Sequence, residues 1–279
     1  MGKFYESIPQ ELIPWILKQE VFWVATAPLN PEGHVNVSPK GVRDSFHVVS
    51  PTRVWYQDLS GSGVETISHL RENGRITLLF NAYDGPPRIC RLFGTGTVHE
   101  FGTPEYDKLV PPENRRPGSR AAIVIDVHKV GTSCGYAVPY FEFKGHRQVL
   151  LDYFDKRERA DQADPNGHAE KGIKAYWDRE NTKSIDGLPG LALAPKIERI
   201  PDCRDEMRNA EMPEGGSSTP GKAANGKGTA NGNGSVAANG SGMLLMKHDL
   251  GRQRVQDFVV AFALGLAAAA IYVQVMSAL

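Results

Sequence analysis

The chain has 279 residues, 41% of them apolar, which suffices for one sizeable core with appendages. Its 32 basic and 32 acidic residues cancel, and no basic stripe with interleaved aromatics occurs, so nucleic acid is not an expected partner. Three scattered cysteines, Cys90, Cys134 and Cys203, make neither a C-x-x-C pair nor a metal spacing and read as reduced thiols in a cytosolic setting.

No apolar stretch follows the first methionine, so no secretory leader is expected. Ser7 and Pro9 mark the start of a helix running to about Gln19, with Leu12, Ile13, Ile16 and Leu17 on its apolar face. Residues 21–27 read as a strand stopped by Pro28 and the Asn30-Pro-Glu-Gly33 turn. Residues 35–38 form the next, ended or placed at an edge by Pro39. Residues 46–49 and 53–58 pair as a hairpin about Ser50-Pro51-Thr52. A short helix spans 64–72, and the apolar run 75–81 is a buried strand. Residues 88–100 are a long strand whose interior Gly94 and Gly96 imply a bulge, a barrel corner or a close backbone approach to a ligand. One more strand covers 121–130. Seven strands with one inserted helix argue for a closed or split antiparallel barrel and against a βαβ sheet. Two helices follow, near 146–159 and 169–181; the first carries Val149, Leu150, Tyr153 and Phe154 on one face, the second Ile173, Tyr176 and Trp177.

The C-terminal part differs in kind. Residues 215–242 hold nine Gly, five Ala, four Asn and four Ser, with one Val as the only large apolar residue. Such a segment cannot offset its ordering entropy, so a flexible tether reaching about 30 Å is expected. Residues 258–279 contain no charge, and Gln274 and Ser277 are the clearly polar ones. About 20 such residues span a bilayer. With Lys247, Arg252 and Arg254 just upstream, the positive-inside rule puts the body in the cytosol. The expected organisation is a body over 1–205, a linker over 206–246, and a basic flank with a single-pass C-terminal anchor over 247–279. The alternative for the last run is a buried core helix, which would ordinarily keep a polar face.

The chemistry-bearing stretch is His34 to Arg75. Strands there lead into Gly61-Ser62-Gly63, which opens a helix whose first N–H groups and dipole favour an anion. Lys40, Arg71 or Arg75 could supply the cation; the alternative is an ordinary turn that caps a helix. The third glycine of a dinucleotide fingerprint is missing, and hairpin strands flank the loop, so a Rossmann site is excluded. The histidines have no metal spacing, and no Gly-x-Ser-x-Gly elbow marks a hydrolase nucleophile. Trp23, Trp55 and Trp177 read as core residues, the alternative being that one of them stacks on a flat ring.

The order Asn36-Val-Ser38-Pro-Lys40-Gly, Phe46, Tyr56-x-Asp58-x-x-Gly61-Ser62-Gly63-x-Glu65-Thr66, Asn73-Gly-Arg75 and Arg91-x-x-Gly94 resembles the pyridoxamine 5′-phosphate oxidase-like, FMN-binding split-barrel family. Later blocks, Cys134-Gly-Tyr-Ala-Val138-Pro and Asn181-x-x-Ser184-Ile-Asp-Gly-Leu-Pro189-Gly, are similar to a fungal-type branch. The resemblance covers about residues 5–200. It implies a mainly β, six-stranded antiparallel split barrel that forms a homodimer with FMN at the interface. It puts the FMN phosphate near Ser38, Lys40, Ser62, Gly63 and Thr66, within the Asn36 and Gly61 motifs. Tyr56 and Asp58 would line the ribityl or ring side, and Arg88 and Arg91 the isoalloxazine edge. The implied activity is flavin-dependent oxidoreduction of a small molecule, with no side chain assignable as base. The oxidases of vitamin B6 end in a segment with Arg and His that grips the vitamer phosphate, and it has no counterpart here. The alternative is a non-enzymatic split barrel binding FMN or haem.

Overall fold

Strand formation follows the alternation of apolar residues. The computed structural model describes residues 2–164 and 169–203. The chain divides at Ser217 into two units, and every described residue belongs to the first. Eight strands make one antiparallel sheet: β1 (Lys3–Tyr5), β2 (Phe22–Thr26), β3 (Asn36–Lys40), β4 (Phe46–Ser50), β5 (Arg53–Leu59), β6 (Arg75–Asn81), β7 (Ile89–Glu100) and β8 (Ser119–Ser133). Their order is β3-β2-β6-β7-β8-β5-β4, with β1 also on β8. The long β8 serves two partners on the edge opposite β7, meeting β5 over Ser119 to Asp126 and β1 over Val130 to Thr132.

The sheet curls until its ends face each other. Phe22 of β2 packs on Phe46 of β4 and on Tyr56 of β5, with ring centroids 5.2 and 5.5 Å apart, and Phe80 of β6 joins them. Among the described residues no ladder joins β3 to β4, so rings rather than hydrogen bonds bridge the split. The strand count is corrected from six to eight. The periodic segments gave seven; the eighth, β1, has three residues, too few to show a period.

Helix α2 (Glu65–Asn73) ends at Gly74, whose φ of 70° suits only glycine without strain. The first expected helix is split into a 3-10 turn, Gln10–Leu12, and α1 (Ile13–Leu17). Helix α3 (Pro104–Leu109), unforeseen, is capped by Thr103, whose hydroxyl accepts from the Tyr106 N–H at 3.3 Å. In α4 (Val149–Ala163) the buried residues are Leu151, Phe154, Glu158 and Asp161; of the expected face Phe154 is buried, while Val149, Leu150 and Tyr153 are exposed. Two inward acids hid the true period. Glu158 binds Arg115 through both oxygens at 2.7 and 2.9 Å, and Asp161 accepts from the Lys174 N–H at 2.9 Å. Helix α5 (Ile173–Glu180) buries Ile173, Tyr176 and Trp177 as its spacing implies.

The apolar run at 258–279 lies outside the described residues, as does the 206–246 linker. Among the described residues no helix is long and apolar enough to cross a membrane.

Candidate functional site

A cleft of about 1230 Å³ opens where the end of β3, the end of β5, the start of α2 and a strap at 141–147 converge. Of the residues singled out in the sequence, Asn36, Ser38, Lys40, Gly61, Gly63 and Thr66 line it. Three of them form a connected chain: the Asn36 amide donates to Thr66 Oγ1 at 3.0 Å, and Ser38 Oγ donates to Asn36 Oδ1 at 3.1 Å. The first turn of α2 opens onto this wall without a side-chain cap from Val64, and the helix ladder begins at the Ser68 N–H, which donates to the Val64 carbonyl.

Lys40 donates from Nζ to Asp58 Oδ1 at 2.7 Å, and Arg120 donates from Nε to Asp58 Oδ2 at 2.8 Å. A second Arg120 donor, Nη1, reaches the Gly63 carbonyl at 2.9 Å. Burial works to raise the Asp58 carboxyl, but Lys40 and Arg120 outweigh it and hold it below its ordinary value. The ammonium has three donors, so Lys40 still presents charge and hydrogen to the cleft.

Sequence reading passed over Arg120, although a charge opening the apolar run of β8 was a visible signal. Its orientation comes from a register shift: Asp58 pairs with Ala121 and Leu59 with Ser119, leaving Arg120 as the extra, re-aimed residue.

Other expected residues lie elsewhere. Tyr56 is fully buried among the barrel rings, with burial and the Asp58 charge pushing its hydroxyl well up. Along β5 the cleft takes Gln57 and Leu59, on the face opposite Tyr56 and Asp58. Asp58 reaches the cleft only through its two cations. Ser62 is exposed and not part of the lining. Arg88 stacks over Trp15 at 5.4 Å, and Arg91 sits mid-strand between Leu79 and Gly131; neither lines the cleft. Of the other candidate cations, Arg71 pairs with Glu100, and Arg75 donates to the Pro28 carbonyl at 3.2 Å.

The glycine loop is held from behind. Trp177 donates to Ser60 Oγ at 2.6 Å, Ser60 donates to the Gly118 carbonyl at 2.7 Å, and Asn181 donates to the Gly61 carbonyl at 2.9 Å. The 181–190 block thus fixes the loop, and its Leu188 carbonyl takes the Ser68 hydroxyl. Opposite, the strap carries Phe141, Phe143 and His146; His146 Nδ1 donates to the Gly41 carbonyl at 2.9 Å and Nε2 faces Glu20 at 3.3 Å. Because that carbonyl only accepts, Nδ1 carries the hydrogen. Among the described residues no group of His, Cys, Asp and Glu is placed to hold a metal ion.

The pyridoxamine 5′-phosphate oxidase family pattern matches residues 8–134. A family protein of Aspergillus flavus, ustO, is 42% identical over 199 residues, 70% of this chain and 80% of that protein. The chain belongs to the pyridoxamine 5′-phosphate oxidase family. Among solved structures, HupZ of Group A Streptococcus is 24% identical over 44% of this chain and 91% of its own, with a TM-score of 0.36. An FMN-binding protein of Syntrophomonas wolfei is 15% identical over 43% of this chain and 80% of its own, at 0.31.

A flavin phosphate suits the wall described above: two cations, the open first turn of a helix and the Asn36–Ser38–Thr66 hydroxyls and amide converge there. The volume exceeds the roughly 300–1,000 Å³ of common ligand pockets, leaving room for a ring system and a small substrate. One group runs against the pattern. The Glu65 carboxylate folds back over Gly63, into the space a Cβ there would need, and accepts from the Ile185 N–H at 3.3 Å.

Proposed function

We propose that this family member binds FMN in the cleft and oxidises or reduces a small cytosolic molecule. The observation that supports it most is the meeting of Lys40 and Arg120 with the glycine loop and the open turn of α2. The phosphate lies against Ser38, Lys40, Gly63 and Thr66, with Arg120 behind the loop. Lys40 acts there as a compact point charge, and Asp58 fixes its position. The ring extends toward Gln57, Tyr83 and the strap, where Phe141 and Phe143 exclude water from one side. FMN supplies hydride or electron transfer when bound; the protein supplies placement and electrostatics.

The family relationship supports a flavin. A homodimer with the cofactor at its interface is part of the reading, as is a membrane tether through residues 258–279. Light scattering should give twice the 30.6 kDa of one chain.

The purified protein should show flavin absorption bands, or acquire them with added FMN, and should lose them in Lys40→Ala. A protein that takes up no flavin under either condition refutes the reading.

A second reading, a flavin binder without turnover, is favoured by the state of His146. It is the only imidazole on the cleft wall among the described residues, and Gly41 and Glu20 already engage it. Steady reoxidation of flavin reduced by a nicotinamide or a metabolite decides for the enzyme.

A further inference from the structure

We infer that Glu65 is a built-in anion occupying the phosphate's place, which a phosphorylated ligand must displace to bind. This rests on the phosphate end of the cleft assigned above. Glu65 is the first residue of α2, and its carboxylate lies back over Gly63, at the mouth of the helix. A carboxylate there is stabilised by the helix dipole, as a phosphate would be. Lys40 and Arg120 are both paired to Asp58, and Glu65 lines the same cleft as a second carboxylate, so the cleft carries its own anions without a ligand.

A dianion entering beside Glu65 meets a like charge at contact distance, so the two exclude each other. Asp58 cannot give way, being fully buried under two cations. Glu65 can. It is only half-buried, and its carboxylate accepts from the Ile185 N–H at 3.3 Å. The absence of a side chain at Gly63 makes the folded-back rotamer possible. A ligand with a neutral end has no reason to move it. Glu65 thus sets how strongly the cleft distinguishes a phosphorylated flavin from its dephosphorylated form.

The test is titration of the full chain and of Glu65→Gln with FMN and with riboflavin, followed by quenching of flavin fluorescence. Glu65→Gln should bind FMN about tenfold more tightly, the scale of one helix-terminal charge, and riboflavin unchanged. Where FMN binds, an equal gain for both flavins, an unchanged FMN affinity, or weaker FMN binding overturns the inference.

A flavin-free measurement separates this from the cofactor reading. Inorganic phosphate, compared with chloride at equal ionic strength, should raise the melting temperature of Glu65→Gln more than that of the parent. Equal responses overturn the inference. If neither protein takes up flavin while the phosphate difference persists, the cofactor reading fails and the displaced carboxylate stands.

Discussion

Asp58 has no exposed surface and two cations on its oxygens, so the charge balance of the cleft wall turns on it. Taking away Lys40 leaves a buried carboxylate with Arg120 alone. Breaking a buried pair costs about 3–5 kcal/mol, and with Lys40 a fifth exposed and Arg120 retained the loss in Lys40→Ala should be nearer 2 kcal/mol. The pH dependence has a definite sign. A carboxyl held low in the folded state contributes stability above its unfolded value and loses it as pH falls through the folded value. Lys40→Ala raises the folded value, so its acid unfolding should begin at higher pH than the parent's, as read by denaturant titrations across the acid range. An unchanged acid limb would show that Arg120 alone holds Asp58. At this scale Lys40 was legible in the sequence because Ser-Pro-Lys-Gly sits in a motif. Arg120 was not, because its aim depends on a strand register that no local pattern encodes.

The long strand β7 shows how an element resolves an ambiguity. Its interior glycines allowed three readings, and the register shift between Phe93 and Gly94 selects the bulge. A Cβ at Gly94 would lie 2.5 Å from Ile125 Cγ2 and 2.6 Å from the Asp126 carbonyl oxygen. Gly94→Ala should therefore cost about 2 kcal/mol by overpacking against β8, measurable as a lower urea midpoint with the slope unchanged. A neutral effect would mean that β8 yields at that point. Helix α4 teaches the converse. Its apolar pattern found Phe154 but missed Leu151 and named three exposed residues, because Glu158 and Asp161 are inward, held by Arg115 and the start of α5. Polar residues that complete a buried pair cannot be told from surface residues until the partner is in place. Tyr56 and Asp58 do not line the cleft for a related reason: alternate residues on β5 face opposite ways, so a motif names the strand without naming the side.

At the scale of the whole molecule, the described body is a rolled antiparallel sheet with helices packed about one cleft. The composition change after about residue 205 belongs to a different kind of chain. If residues 258–279 are an anchor, the full chain should pellet with membranes and resist carbonate, and a version ending at Gly215 should stay in the supernatant. Identical fractionation of the two would remove the anchor. The sequence by itself determined seven of the eight strands, the helix behind the glycine loop, the family and the part of the cleft wall from Asn36 to Thr66, because period, turn residues and local motifs are short-range properties. Tertiary structure alone decided that Arg120 joins Lys40, that Tyr56 belongs to the core, that α5 braces the loop and that the Glu65 carboxylate meets the Ile185 N–H. Those contacts join residues far apart in sequence, or depend on which face of a strand turns inward, and packing settles both.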